Sequence, residues 1–413
     1  MKILIAVVRV LVGLLFIFSG LVKANDPQGL SYKMKEFFEV WNEGLSKSTF
    51  FLRTPLVHFF EYLHEHSLTL SVIMIAVEII AGVALLVGWR MKAVSWLLLL
   101  LILFFTFLTG YAYLSGKFKN CGCFGDCLPI TPFTSFLKDI VLTGLILFLF
   151  YHRKKITAAL PVRSARIAML VTAILSFGIQ AYALVYLPYV DCLPFKKGNN
   201  ISEQMKIPPG AVPDSFAIRF VYEKGGKEYE FSPAELPADL NTYQFKKRTD
   251  KLVRKGNAEP PVKGFALTGA GDADSTAVIL SEPWCVLLFD EKFDAPVSAW
   301  QQDFSKVYAA AKSRHIPVYI VTTVREKAQQ LLSATPFRDV QVFNCDYTVI
   351  RMVARANPCL YVLQQGTITG KWGPRQLSGA LRVVDTITMQ QPLSDSTTSN
   401  SADTGQAVGS PNQ

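Results

Sequence analysis

Five runs of this chain are apolar and long enough to cross a bilayer, and a chain that carries them has little choice of architecture. They lie near Ile3–Val22, Leu68–Trp89, Ala93–Leu114, Phe133–Tyr151 and Ala165–Leu187. A helix needs about 20 residues to cross roughly 30 Å of hydrocarbon. Inside that layer every backbone N–H and C=O must find its partner within the segment, so each run is expected to be a helix. Half of the 413 residues are hydrophobic, and the formal charge is +10. A basic excess of this size also occurs in nucleic-acid-binding proteins. Here much of it clusters beside the apolar runs, which argues for the lipid bilayer as partner and against nucleic acid. The first run resembles a signal peptide, with Lys2 ahead of it and small residues near Ala24. Arg9 interrupts its apolar core and no clean cleavage site follows, so it is read as a retained span.

The short loops set an expected topology. Trp89–Lys92 carries Arg90 and Lys92; His152–Lys155, followed by Arg163 and Arg166, is the most basic turn. Both are expected on the cytoplasmic side of a plasma (inner) membrane, together with the amino terminus. The loop after the first span, the loop before the fourth and everything beyond Leu187 are then extracytoplasmic, where disulfides form and persist.

The loop before the fourth span reads NCGCFGDCLP (Asn120–Pro129), with three of the seven cysteines. Gly122 and Gly125 let it turn tightly. A Cys121–Cys123 ring is small, and strained, exposed disulfides tend to be labile. Cys123 and Cys127 can pair with less strain. Thr131 and Pro132 are placed as the cap and first residue of the next helix. A helix amino end lowers a nearby thiol pKa and makes a better nucleophile. Cys192, just past the fifth span, returns to the same surface. The four cysteines can form two structural disulfides, or one disulfide and one exchanging pair. A four-sulfur zinc shell is disfavoured by the spacing and the oxidising compartment, and no metal is assigned. The leading reading makes Cys121 and Cys123 the exchanging pair and Cys127 a resolving or structural partner.

Ionisable residues inside the spans point inward, because each is costly facing lipid. Arg9, Glu78, Lys138 and Asp139 are such residues. They form either structural ion pairs, such as Arg9 with Glu78, or a polar pocket for a proton-coupled small molecule. A quinone is the cofactor such a pocket beside thiols suggests. The first outer loop, Lys23–His66, repeats Met34, Phe37, Phe38, Trp41 and Leu45, then Leu56, Phe59, Phe60 and Leu63, at helical spacing. Amphipathic helices of this kind lie well at a membrane interface. His58, His64 and His66 are read as ordinary surface histidines.

Beyond the fifth span the chain is polar over Asp191–Pro261, with a β-hairpin turning at Gly225 and Gly226. From Val262 strands alternate with helices: strands at Cys285–Asp290, Ile316–Thr323 and Val340–Phe343, then a hairpin turning at Gln365–Gly366 and a last helix over Gln376 to about Met389. With Asn357-Pro358 just before the hairpin, this order resembles the thioredoxin-like fold, in which the corresponding proline is cis and packs beside the active site. The family's two-cysteine motif should follow the first core strand. Here the chain reads DEKFDAPVSAW, without cysteine, so this domain is expected to bind rather than exchange. Cys285 and Cys359 sit in strands as small hydrophobes; Cys345, before a helix, and Cys359, after the proline, are the positions open to reactivity. The tail Pro392–Gln413 is expected to be disordered.

The pattern RVLVGLLFIFSGLVKANDP (Arg9–Pro27), EIIAGVALLVG from Glu78, and CGCFGD with Lys138-Asp139 in the next helix resembles the methylamine-utilisation protein MauE and the wider DoxX family. The resemblance covers about Met1–His152. The family commonly shows Arg-Asp where this chain has Lys138-Asp139. The resemblance implies a four-helix membrane bundle and a role in maturing periplasmic proteins, for MauE the disulfide-rich small subunit of methylamine dehydrogenase. DoxX relatives imply quinone-linked sulfur oxidation. The expected organisation is a four-span domain (1–155), a fifth span (156–190), an extracytoplasmic linker with a hairpin (191–261), a thioredoxin-like α/β domain without its cysteine pair (262–391) and the tail (392–413). The expected activity is extracytoplasmic thiol–disulfide redox or maturation, with client proteins or a thiol carrier as partners. Two alternatives remain: a non-catalytic assembly protein with structural disulfides, and a solute carrier, which the lack of an internal repeat disfavours.

Overall fold

The computed structural model describes residues 1–118, 122, 125, 127–128, 130–254, 256 and 258–387. Seven long helices come first: α1 (Lys2–Asn25), α2 (Pro27–Ser46), α3 (Arg53–Glu65), α4 (Ser67–Val87), α5 (Met91–Ser115), α6 (Pro132–His152) and α7 (Val162–Tyr186). Five of them, α1, α4, α5, α6 and α7, are long and apolar enough to cross a membrane, so the protein is a multi-pass membrane protein. Their bounds follow from local chemistry. Gly88, at φ 75°, closes α4 in the left-handed conformation that glycine tolerates. Thr131 caps α6 by accepting the Thr134 N–H at 3.3 Å, with Pro132 as the first helical residue.

The α1–α4 pair is the tightest seam in the bundle. A Cβ added at Gly82 would lie 2.9 Å from the Gly13 carbonyl and 3.1 Å from the Ile17 nitrogen. Small residues let two backbones approach this closely in lipid, where packing replaces the hydrophobic drive. The seam fixes the relative height of α1 and α4, which decides which charged side chains meet.

The amphipathic pair α2 and α3 departs from the interfacial expectation. Met34, Phe37 and Phe38 of α2 are buried, and the Phe37 ring stacks on Phe118 at 4.2 Å. Trp41 packs against Phe60 of α3 and Tyr111 of α5. The aromatic face of α2 is thus covered by protein. Only α3, which buries none of its residues, keeps an open face.

The two ends of the bundle differ. At one end, Arg9 and the turns after α4 and α6 meet: Arg9 Nη1 donates to the Thr157 carbonyl and the Ala159 N–H to the Val87 carbonyl. At the other, the end of α1, α2, the loop between α5 and α6, and the chain leaving α7 come together beneath the α/β part.

After α7 a short helix α8 (Ile201–Gln204) leads to a three-stranded antiparallel sheet of β1 (Ser215–Lys224), β2 (Lys227–Phe231) and β3 (Gln244–Arg254), in the order β2-β1-β3. Gly225 and Gly226 both take positive φ in the two-residue turn, as the favoured hairpin turns require. Sequence reasoning had not placed β3.

The remaining elements are α9 (Thr276–Ser281), β4 (Cys285–Phe289), α10 (Gln301–Ser313), β5 (Val318–Thr322), α11 (Arg325–Leu332), β6 (Gln341–Asn344), α12 (Tyr347–Val353), β7 (Cys359–Gln364), β8 (Thr367–Trp372) and α13 (Leu381–Val384). The sheet order is β6-β5-β4-β7-β8. Strands β4, β5 and β6 run parallel, while β7 runs antiparallel to β4 and β8. Every residue of β4 is buried, as a central strand covered on both faces requires. The Asn357–Pro358 bond is cis. This is a thioredoxin-like arrangement. The expected last helix is shorter than the sequence suggested: a single 3-10 turn over Leu377–Ala380 runs into α13. The tail Pro392–Gln413 lies outside the described residues.

Candidate functional site

Cys127 and Cys192 are bonded to each other, with a Cα–Cα distance of 4.9 Å across 65 residues of sequence. The bond ties the α5–α6 loop to the chain just beyond α7. Asn25, the last residue of α1, braces the junction from both sides. Its Nδ2 donates to the Val190 carbonyl and its Oδ1 accepts the Val190 N–H, each at 2.9 Å. The loop lies against α1 and α2. A Cβ on Gly122, at φ 70°, would meet the Lys33 side chain at 2.9 Å, and one on Gly125 would lie 3.7 Å from the Val22 carbonyl. Cys121 and Cys123 lie outside the described residues.

The other three cysteines are thiols in the sheet region. Cys285, Cys345 and Cys359 are all buried. Burial pushes each up to about 12, the thiolate having no solvent to stabilise it. Such thiols neither attack nor exchange at neutral pH. They also predict a pH dependence. The folded pKa lies above the unfolded value near 9, so the stabilisation is complete below about pH 9 and is lost as pH rises toward 12. Each thiol removes about 1.4 kcal/mol per pH unit in that range. Denaturant titration followed by fluorescence should show the α/β part losing stability between pH 9 and 10. A Cys285→Ala/Cys345→Ala/Cys359→Ala variant should show a flatter profile; an equally flat wild type would contradict this.

Within the bundle the charges are sorted differently from the expected Arg9–Glu78 pair. Glu78 pairs with Lys23, whose Nζ lies 2.7 and 3.0 Å from the two carboxylate oxygens. Both residues are 3% exposed. Lys23 was expected in the outer loop; α1 instead continues through it and turns it inward, where Phe105 covers its ammonium at 4.6 Å from the ring centre. Arg9 lies 14 positions earlier on the same helix, about 21 Å away along the axis at 1.5 Å per residue. It caps the end of α4 instead, donating to the Leu85 carbonyl at 2.8 Å and the Leu86 carbonyl at 2.5 Å. Asp139 joins the Glu78 side. Its Oδ1 is 2.9 Å from the Lys138 ammonium and its Oδ2 accepts from Thr109 at 3.0 Å.

Lys23, Glu78, Lys138 and Asp139 line one cavity of about 30 Å³, together with Ser19 and Phe105. That is room for one or two waters. Pockets for organic ligands run to several hundred Å³, so these residues do not enclose a quinone head. Of the four residues expected to bind a cofactor, Glu78, Lys138 and Asp139 meet and Arg9 does not.

The third feature is the contact between the thioredoxin-like domain and the bundle. The loop after β4 and the residue before the cis-proline are stapled together by a buried carboxylate. Asp290 Oδ1 accepts from the Phe293 N–H at 2.8 Å and from Asn357 Nδ2 at 3.0 Å, while Asn357 Oδ1 accepts from the Glu291 N–H. Burial holds the Asp290 carboxyl above its usual range. In this fold that corner carries the redox cysteines. Here it faces α2. Arg355 Nε is 3.0 Å from Asp26 Oδ2, with the two side chains 4% and 11% exposed. Asp26 also caps α2 by accepting the Gly29 N–H. Arg351 pairs with Glu291 at 3.0 Å. The guanidinium groups of Arg351 and Arg355 lie over the Tyr32 ring at 5.2 and 5.5 Å. Burial, then Glu291, pushes the Tyr32 phenol up to about 12. A crevice of about 320 Å³ beside the contact is lined by Gln28, Tyr32, Lys35, Glu291, Arg355 and Asn357.

Sequence reasoning missed Lys23, Asp26, Tyr32, Arg351 and Arg355. Only Asp26, an Asp-Pro pair opening a helix, carried a local signal.

Comparison with known proteins bears on the membrane half. Residues 1–152 match the family model of the methylamine utilisation protein MauE. Residues 216–255, which hold the three-stranded sheet, match a domain of unknown function (DUF8463). Protein TlpB of Flavobacterium psychrophilum is 27% identical over 151 residues, 36% of this chain and 36% of that protein. The chain therefore spans just over a third of that relative's length. No solved structure matches the chain.

Proposed function

We propose that this membrane protein is a factor for extracytoplasmic thiol–disulfide exchange in protein maturation, with Cys121 and Cys123 as the exchanging pair. The observation that carries this reading is the state of the other five cysteines. Cys127 and Cys192 are bonded to each other, and Cys285, Cys345 and Cys359 are buried. The Cys127–Cys192 bond anchors the loop over the end of α1. The basic residues Arg90, Lys92, Arg153, Lys154 and Lys155 lie at the opposite end of the bundle, which favours a cytoplasmic placement for that end and an extracytoplasmic one for the cysteines. The MauE match makes methylamine utilisation one context for a client with disulfides to form. No step is assigned to a quinone, because the charged cavity does not fit one.

The test is alkylation in intact membranes. A mass-adding maleimide should label two more thiols after treatment with reduced glutathione than before it, and the two should map to Cys121 and Cys123. A labelling pattern that glutathione leaves unchanged overturns the reading. The second reading is a non-catalytic assembly protein. It is favoured by the thioredoxin-like domain, which lacks its cysteine pair and turns the corresponding corner onto the bundle.

A further inference from the structure

The end of the bundle away from the α/β part brings no anion of its own. The segments that meet there, residues 1–20, 79–105 and 140–175, carry two, two and five Lys or Arg and no Asp or Glu. Cations gathered without carboxylates beside them draw their counter-charge from outside the chain.

Two of these cations line one crevice. It measures about 420 Å³ and lies between the turn from α4 to α5 and the start of α7. Trp89 and Arg90 line it from the turn, Leu160 from the connection between α6 and α7, and Val162 and Arg166 from α7 itself. Its back wall is fixed by a close approach. The Ala159 N–H donates to the Val87 carbonyl at 2.9 Å. A Cβ on Gly88 would lie 2.8 Å from the Thr157 carbonyl, so nothing larger than glycine fits there. Arg90 follows at φ 44°, a conformation that a residue with a side chain takes only where its surroundings hold it. Its guanidinium lies 5.8 Å from the centre of the Trp89 ring. Both arginines are exposed, and neither forms an ion pair among the described residues.

We propose that this crevice binds a phosphate group between Arg90 and Arg166, and that an anionic phospholipid of the bilayer supplies it. The volume falls in the range of small-molecule sites. A guanidinium offers paired N–H donors that match phosphate oxygens, so it fixes geometry as well as charge. The lipid source follows from the apolar lining. Leu160 and Val162 are 39% and 62% exposed, at the level where a span begins and acyl chains are at hand. Trp89 suits the same level, where tryptophan rings collect at the membrane–water boundary. A soluble phosphate would use the arginines and leave both apolar side chains in water. A bound lipid ties the start of α7 to the α4–α5 turn and so fastens the fifth span to the other four. The site is independent of the exchange reading and goes beyond it.

The test titrates phosphatidylglycerol into the full-length protein in a neutral detergent. Binding is read from the rise in the thermal unfolding midpoint, since a ligand of the folded state stabilises it. Phosphatidylcholine, whose headgroup carries its own cation, should give a much smaller rise. Arg90→Gln/Arg166→Gln should bind phosphatidylglycerol about 30-fold more weakly, the ordinary loss for two cationic side chains beside a membrane surface. Arg166→Gln alone should lose about 5-fold on the same scale, and covers the case in which the double variant does not fold. Lys154→Gln/Lys155→Gln removes equal charge from the same end but no residue of the crevice. It should stay within about 3-fold of wild type, since charges outside a site act only through a salt-screened field. Glycerol phosphate without lipid should protect weakly; protection equal to that of phosphatidylglycerol overturns the lipid as source. Equal losses in the two double variants, or equal protection by phosphatidylcholine, overturn the site.

Discussion

Replacing Cys121 and Cys123 together by Ser should abolish exchange with clients while leaving the protein folded and the Cys127–Cys192 bond in place. The two cysteines bracket Gly122, which lies against the Lys33 side chain, so serine at either flank changes one atom and no backbone requirement. The single variants separate the roles. The one that retains the attacking cysteine but lacks its resolving partner should accumulate mixed disulfides with clients, because the second displacement that frees the client is lost. Non-reducing gels of membranes from the two single variants read this directly. If client disulfides form normally in the double variant, the protein is an assembly factor and its loop is a brace.

Arg355→Met should loosen the thioredoxin-like domain from the bundle by about 3 kcal/mol. Removing one partner of a buried ion pair leaves the other uncompensated, which typically costs 3–5 kcal/mol. Asp26 keeps one hydrogen bond, to the Gly29 N–H, so the lower end of that range applies. The lost cation–π contact over Tyr32 adds to the effect. Hydrogen exchange should quicken in α2 and around residues 351–358 and stay unchanged in the core strand β4. The double variant Asp26→Leu/Arg355→Met should recover part of the loss, since it buries no lone charge. Unchanged protection in Arg355→Met would mean that the contact contributes nothing to docking.

The docking contact also changes what the thioredoxin-like domain is for. Its corner by the cis-proline, where the fold elsewhere carries a redox pair, faces Tyr32 of the membrane part across a crevice of about 320 Å³, and Arg355 beside it is paired with Asp26. On the proposed exchange reading, a client would meet the cysteine loop without a cysteine pair at that corner. The domain holds the end of the bundle in shape, together with the Cys127–Cys192 bond and Asn25.

Much of this fold was legible in the residues. The apolar runs mark the five spans because lipid leaves a backbone no alternative to the helix. Thr131-Pro132 marks the start of α6, and Gly225-Gly226 the hairpin. Strand β3 was hidden because its residues, QFKKRTDKLVR, are mostly charged and exposed; nothing in their periodicity separates an exposed strand from a polar linker. The charged site was half legible. Glu78 and Asp139 stand out inside apolar runs, but their partner could not be read from type alone. Arg9 lies within the first apolar run, whereas Lys23 sits at the edge of that run and looks like an outer-loop residue. The height of α1 against α4, set by Gly13 and Gly82, decides for Lys23, and that height is a packing property with no local signature. The docking arginines on and just after α12 were invisible for the same reason, their partners in the membrane part, Asp26 and Tyr32, being more than 300 residues away in sequence.

The account stands most directly on disulfide connectivity. Full-length protein in native membranes, equilibrated in glutathione buffers of rising oxidised fraction, alkylated and mapped by mass spectrometry, should give one linkage that never changes and one that does. The predicted result is Cys127 joined to Cys192 at every buffer composition, with Cys121 and Cys123 passing together from alkylated to joined. Cys121 or Cys123 found joined to Cys127 or Cys192, or a Cys121–Cys123 state that no buffer alters, would contradict it.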